Sequence, residues 1–163
     1  HLIEHGHTDI GMITAPLDWP HVAECYQGYR KAFQENDLVL NPEWVIETDD
    51  FFIESGYEAG LELFQQEDRP RAVFTASDSL AVGVCKALTD LGLSVPEDVA
   101  ITSYNDSPYA EMTHPMLTSS TFPAYQMGVE AAEMLHRVIA GQEVREKQVV
   151  LESTLVVRQS CGC

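Results

Sequence analysis

Apolar residues along the chain fall into two alternating patterns. Short unbroken runs, Ile10-Gly11-Met12-Ile13-Thr14, Trp44-Val45-Ile46, Ala72-Val73-Phe74-Thr75 and Val99-Ala100-Ile101-Thr102, read as buried strands. Between them apolar positions recur at helical spacing. Val22, Tyr26, Tyr29 and Phe33 predict a helix over 21–36, and Ile53, Tyr57, Leu61 and Phe64 predict one over 52–66, where Gly56 and Gly60 allow close approach to a neighbour. Leu80, Val84, Leu88 and Leu91 line a third helix, with Ser77-Asp78 as its N-cap pair and Gly92 as its stop. An irregular stretch then runs to Pro115, and Leu117 to Thr121 is extended. Met127, Ala131, Met134, Leu135 and Val138 predict a last helix stopped near Gly141. Two β-rich segments, Gln148 to Leu151 and Thr154 to Val157, finish the chain, while His1 to Gly6 reads as the last turn of a helix closed by glycine.

This β–α–β–α order predicts an α/β fold, a parallel sheet flanked by helices on both faces. Right-handed crossovers bring the strand C-termini to one edge, where ligands of such sheets bind. The rule selects Asp18 and Trp19, Asp50 and Phe51, Ser77 and Asp78, and Asn105 and Asp106. Trp19 and Phe51 offer aromatic faces, and Ser77 and Asn105 offer neutral donors and acceptors, a combination suited to a sugar or nucleoside. Spacing leaves a second reading open, in which Ser77-Asp78 only caps a helix and Asn105-Asp106-Ser107-Pro108 only makes a turn.

Composition removes several function classes. The 163 residues carry 9 Lys plus Arg against 26 Asp plus Glu, a formal charge of −17, with 45% apolar residues. A folded domain this acidic repels nucleic-acid phosphates and anionic membrane surfaces, and no apolar run reaches the ~18–20 residues that span a bilayer. No nucleophile elbow, phosphate-binding loop or dinucleotide fingerprint occurs, and His114 and His136 have no partner the sequence can place beside them. Neither an enzyme nor a cofactor is expected. His1, Glu4 and His5 have metal-pair spacing, with His7 nearby, but at a fraying chain end they read as structural or adventitious. Cys25 and Cys85 read as buried free thiols, and Cys161-Gly162-Cys163, lacking a second ligand pair, as a disordered tail, so no metal site is expected.

Several stretches, in one order, resemble the effector-binding core of the LacI/GalR family of transcriptional regulators. They are His1 to Ile10, Phe74-Thr75-Ala76-Ser77-Asp78 through Gly83, Gly92 to Val99, Pro115-Met116-Leu117-Thr118, Met127 to Ala132 and Leu155 to Cys161. The resemblance implies a periplasmic-binding-protein-like type I fold with a ligand cleft between two subdomains. Residues 1–118 would form most of the carboxyl-side subdomain, 119–150 would cross into the amino-side one, and 151–163 would return. It also implies that this chain is a piece of a longer cytoplasmic protein whose DNA operator is bound through an amino-terminal domain outside it. An exported sugar-binding protein or receptor sensor of the same fold is the alternative.

By position in the family pattern, Cys25 stands where an Arg is usual and Asn105 where the first acid of an aromatic-Asp-Asp turn is usual. Ser77 and Phe51 stand where a polar group and a ring touch the effector. Losing a cation and an acid predicts an unusually neutral pocket. Homodimer contacts are expected at Leu80, Val84, Tyr109 and Met112.

Overall fold

The computed structural model describes residues 1–144 and 147–163. In chain order it contains β1 (Ile10–Thr14), α1 (Pro20–Glu35), β2 (Val45–Glu47), α2 (Ile53–Phe64), β3 (Ala72–Thr75), α3 (Asp78–Asp90), β4 (Ala100–Asn105), α4 (Tyr109–Met112), β5 (Thr118–Thr121), α5 (Ala124–Ile139) and β6 (Leu155–Val156). One sheet runs in the order β2-β1-β3-β4-β5-β6, with β1 to β5 parallel and β6 antiparallel at the edge.

Side chains alternate across this sheet as the pleat requires. Ile13, Val73 and Ile101 point toward α2 and α3, whose Leu63, Leu80, Val84 and Leu88 complete one core. Ile10, Met12, Ala72 and Ala100 point the other way, against Tyr29 and Phe33 of α1 and Leu2 of the first turn. Helices therefore cover both faces, as the sequence pattern predicts.

Helices α2 and α3 cross at unusually close range because glycines meet there. A Cβ built on Gly83 would lie 2.1 Å from the Ile53 carbonyl oxygen, and one on Gly56 would lie 2.3 Å from that of Leu80. Gly60 faces Ala87 in the same seam, so both glycines singled out on α2 are used as expected. The crossing seats the start of α3 directly behind Phe51, whose carbonyl accepts from the Ser79 hydroxyl.

The first turn ends in a Schellman motif: the His7 amide donates to the Leu2 carbonyl (3.1 Å), the Gly6 amide to Ile3 (2.9 Å), and Gly6 has φ +90°. Three local expectations change. Trp44 ends a 3-10 turn, Pro42–Trp44, and β2 begins only at Val45. The stretch before Pro115 contains α4, too short to leave a periodic signal. Gln148 to Leu151 is not a strand despite its β-rich composition, since no described strand lies beside it to complete a ladder, and Val150 is exposed.

The carboxyl tail is also not disordered. Ser160 is fully buried, its hydroxyl donating to the Ile101 carbonyl (2.7 Å) and accepting from the Thr118 amide (2.8 Å). Cys161 is 2% exposed behind it.

The glycine seam predicts that Gly83→Ala drives a methyl into backbone on α2 and costs about 3 kcal/mol or more. Equilibrium urea unfolding measures it; a loss below about 1 kcal/mol would show that the helices separate freely.

Candidate functional site

From β1 the chain passes one way to β2 and then crosses back to β3, so the switch point of the sheet lies between β1 and β3. A cleft of about 660 Å³ opens beside it, at the strand C-termini. The start of α1 contributes His21, Val22, Glu24 and Cys25 to its walls, and Phe51 follows β2. Ala76, Ser77 and Ser79 follow β3, and Tyr104 and Asn105 end β4. Phe122 and Met127 form the wall beyond β5. Cys25, Phe51, Ser77 and Asn105 thus meet in one cavity. Trp19 stands at the rim, 37% exposed, with its ring edge-on to Phe51 at 5.9 Å and beside His21 at 6.0 Å.

Sequence reasoning missed His21, Tyr104, Phe122 and Met127. The strand-end rule that selected Phe51 also reaches Phe122 once it is applied to β5. The Tyr104 and Phe122 rings are 6.2 Å apart in an edge arrangement, facing the Trp19–Phe51–His21 cluster along the same cleft.

The lining is close to neutral, with Glu24 its only carboxylate and no Lys or Arg among the lining residues. Burial pushes the Cys25 thiol up, and burial followed by the nearby Cys25 pushes the Tyr104 hydroxyl up, so both stay protonated near pH 7. Apart from Glu24 and His21, no side chain in this lining is ordinarily ionised near pH 7.

Ser77 and Asn105 have different capacities. Ser79 spends its proton on the Phe51 carbonyl, so in the 3.0 Å contact between the two hydroxyls Ser77 donates to Ser79. Ser77 also accepts from the Leu80 amide (3.2 Å), as the N-cap of α3. It keeps one lone pair and can only accept. The Asn105 amide has no partner among the described residues and lines the cleft with two donors and an acceptor to offer.

Asn105 is held at φ 109° and Asp106 at φ 48°, conformations that non-glycine residues seldom adopt. Two anchors impose them. Asp78, 1% exposed, accepts from the Ser107 amide (2.6 Å), the Ser119 hydroxyl (2.7 Å) and the Ser103 hydroxyl. Arg158 donates to the Asp106 carboxylate (2.7 Å) and the Leu117 carbonyl (2.9 Å). Asp78 is therefore more than half of a cap pair, because it braces the loop that presents Asn105.

Of the four positions expected at a dimer contact, Leu80 and Val84 are fully buried inside the chain, packed in the core beneath α2. They are unavailable to a partner, and that expectation is corrected. Tyr109 and Met112 are exposed.

An open α/β sheet with a neutral, aromatic-walled cleft at its switch point defines a small-ligand-binding domain. Residues 1–161 match the family described as periplasmic binding protein-like domain, and the chain belongs to that family. It is 36% identical over 159 residues to the ribose operon repressor of Haemophilus influenzae, covering 98% of this chain and 48% of that protein. It is 36% identical over 160 residues to the HTH-type transcriptional repressor PurR of Proteus mirabilis, covering 98% and 47%. A solved structure described as the transcriptional regulator CelR-cellobiose complex superposes with TM-score 0.91 at 38% identity, covering 98% of this chain and 48% of that one. The chain spans about half the length of the curated relatives it matches. The resemblance to LacI-type regulators therefore stands, and the exported-protein alternative finds no support among these relatives.

The brace has its own test. Asp78→Asn places an amide donor where three donors converge, and it is expected to cost about 3 kcal/mol in urea unfolding while loosening the 105–107 turn. Unchanged stability would show that the turn holds itself.

Proposed function

We propose that the chain is the effector-binding part of a LacI/GalR-type transcriptional regulator and that its effector is a small neutral molecule, a sugar or a nucleoside. The observation that carries the reading is the cleft itself. Aromatic rings line it, no Lys or Arg lines it among the described residues, and the Asn105 amide in its wall has no described partner. Rings stack on the apolar faces of a sugar or base, while amide and hydroxyl groups read its edge. The names of the relatives agree in kind: ribose and cellobiose belong to that chemistry.

In this reading residues 1–118 are the carboxyl-side subdomain, 119–150 cross into an amino-side subdomain, and 151–163 return. Helix α5, with no buried residue and with Leu135 and Val138 exposed, belongs to that second subdomain. A ligand bridging Phe122 and Met127 to Asn105 and Phe51 favours one closure angle. DNA is contacted by a domain outside this chain, consistent with the −17 charge here. The regulator acts in the cytoplasm and catalyses nothing; no described helix is long and apolar enough to cross a membrane. It forms a homodimer through Tyr109 and Met112.

Full-length protein is expected to melt higher with one member of a panel of neutral sugars and nucleosides, by about 2.7 kcal/mol of added stability at a hundredfold excess over Kd. Phe51→Ala should abolish the gain and Asn105→Ala weaken binding about tenfold. A panel in which no compound shifts the melt would sink the reading. Met112→Glu, at a position 75% exposed, should convert dimer to monomer in light scattering without changing the melt of the subdomain; an unchanged mass would remove Met112 from the interface.

A further inference from the structure

Two features that look weak apart in the sequence meet in the fold. Buried Ser160 pins the tail between the beginnings of β4 and β5, and Gly162, at φ +76°, turns the chain so that Cys163 returns toward the first turn. Its Sγ lies 3.3 Å from His1 Nε2. Cys161 stands beneath with its Sγ against the Thr118 hydroxyl at 3.0 Å. The three ligand atoms, His1 Nε2, Cys161 Sγ and Cys163 Sγ, all lie within 4.8 Å of one another. This cluster sits at the N-terminal end of β4 and β5, the opposite end of the sheet from the cleft.

We propose that His1, Cys161 and Cys163 form a binding site for one zinc ion, which staples the first turn to the carboxyl tail. Zn–S bonds of about 2.3 Å and Zn–N bonds of about 2.0 Å place the ligand atoms of a tetrahedral site roughly 3.5–3.8 Å apart. The present spacing needs a contraction of about 1.3 Å at most, which small shifts of His1 and exposed Cys163 supply. Two thiolates and one imidazole select a thiophilic cation, and among the described residues no carboxylate joins the cluster to favour calcium or magnesium. Buried Cys161 shields one side, while exposed Cys163 leaves a way in.

His1 is already oriented. The His5 amide donates to the His1 carbonyl (3.2 Å) and the His5 ring packs on the His1 ring at 4.4 Å, so the first turn fixes His1 and water takes the fourth position on the metal. On binding, each thiol gives its proton to solvent and its sulfur lone pair to the metal, so two protons leave for each zinc bound. No redox change occurs.

The test uses reduced, untagged full-length protein with ZnCl2 or CoCl2 as the only probes. One zinc per chain should survive gel filtration, two thiols should become unreactive, and cobalt should give a thiolate charge-transfer band. Cys163→Ser and His1→Asn, both at accessible positions that leave the fold intact, should each weaken zinc affinity by about 100-fold and remove a zinc-dependent rise in melting temperature. Equal zinc binding in wild type and both variants would overturn the site, as would the absence of the charge-transfer band. A Cys161–Cys163 disulfide that persists in reductant would overturn it too.

Discussion

Asp78 opens α3 with its carboxylate turned inward beneath the end of the sheet, and the connections of three neighbouring segments converge on it. Hydroxyls from β4 and β5 and an amide from the loop after β4 all donate to its two oxygens. Among the described residues no cation pairs with it, so hydrogen bonds and the N-terminus of α3 carry the charge. The arrangement couples folding to presentation. The donors that satisfy a buried carboxylate are the same groups that hold β4, β5 and the 105–107 turn in fixed relation. The strained backbone at Asn105 persists because the surroundings over-determine it.

The glycine seam does for the other side of the cleft what Asp78 does for this one. With α2 and α3 in near backbone contact, the start of α3 reaches the loop after β2, and Ser79 fastens Phe51 by its carbonyl. The chain from Ser77 to Ser79 is thereby committed in three directions: Ser77 caps the helix, Ser79 holds the aromatic loop, and Asp78 braces the turn. Little hydrogen-bonding capacity remains for a ligand from these residues. The Asn105 amide, the aromatic faces and the polar groups of His21, Glu24 and Tyr104 are what the site has to offer.

The strands and long helices were legible because burial imposes a period on the sequence, and so was the edge at which the cleft forms, because parallel topology gathers the strand C-termini. Phe51, Ser77 and Asn105 came together on those grounds, whereas Cys25 was singled out only by its position in the family pattern. What stayed hidden depends on contacts far apart in sequence. Asp78 in a Ser-Asp pair looks like a local cap until Ser103 and Ser119 are seen to reach it from two other strands. Leu80 and Val84 lie on an apolar helical stripe, and a stripe alone cannot distinguish a core from an interface. Val149 and Val150 have strand propensity but no described ladder partner. The terminal cysteines gain their histidine only because Ser160 folds the tail back across the sheet.

These anchors divide the molecule unevenly. At the start of β4 and β5 the tail is locked by Ser160, and the first turn is closed by its own Schellman bonds. At the opposite end the chain leaves after Thr121 and comes back at Thr154. The two crossings are bound to each other there, with the Thr121 amide donating to the Thr154 carbonyl (2.8 Å) and the Thr154 amide to the Thr121 hydroxyl (2.9 Å). Phe122 and Met127 lie just past this joint, while Asn105 and Phe51 lie on the braced side of it. In the proposed reading, a ligand held between the two groups would pull across the joint, and the stiffness that Asp78, Arg158 and the glycine seam give to one wall would force the displacement into the other. Among the described residues no ion pair spans the cleft, so no salt bridge would hold the two walls at one separation before a ligand arrives.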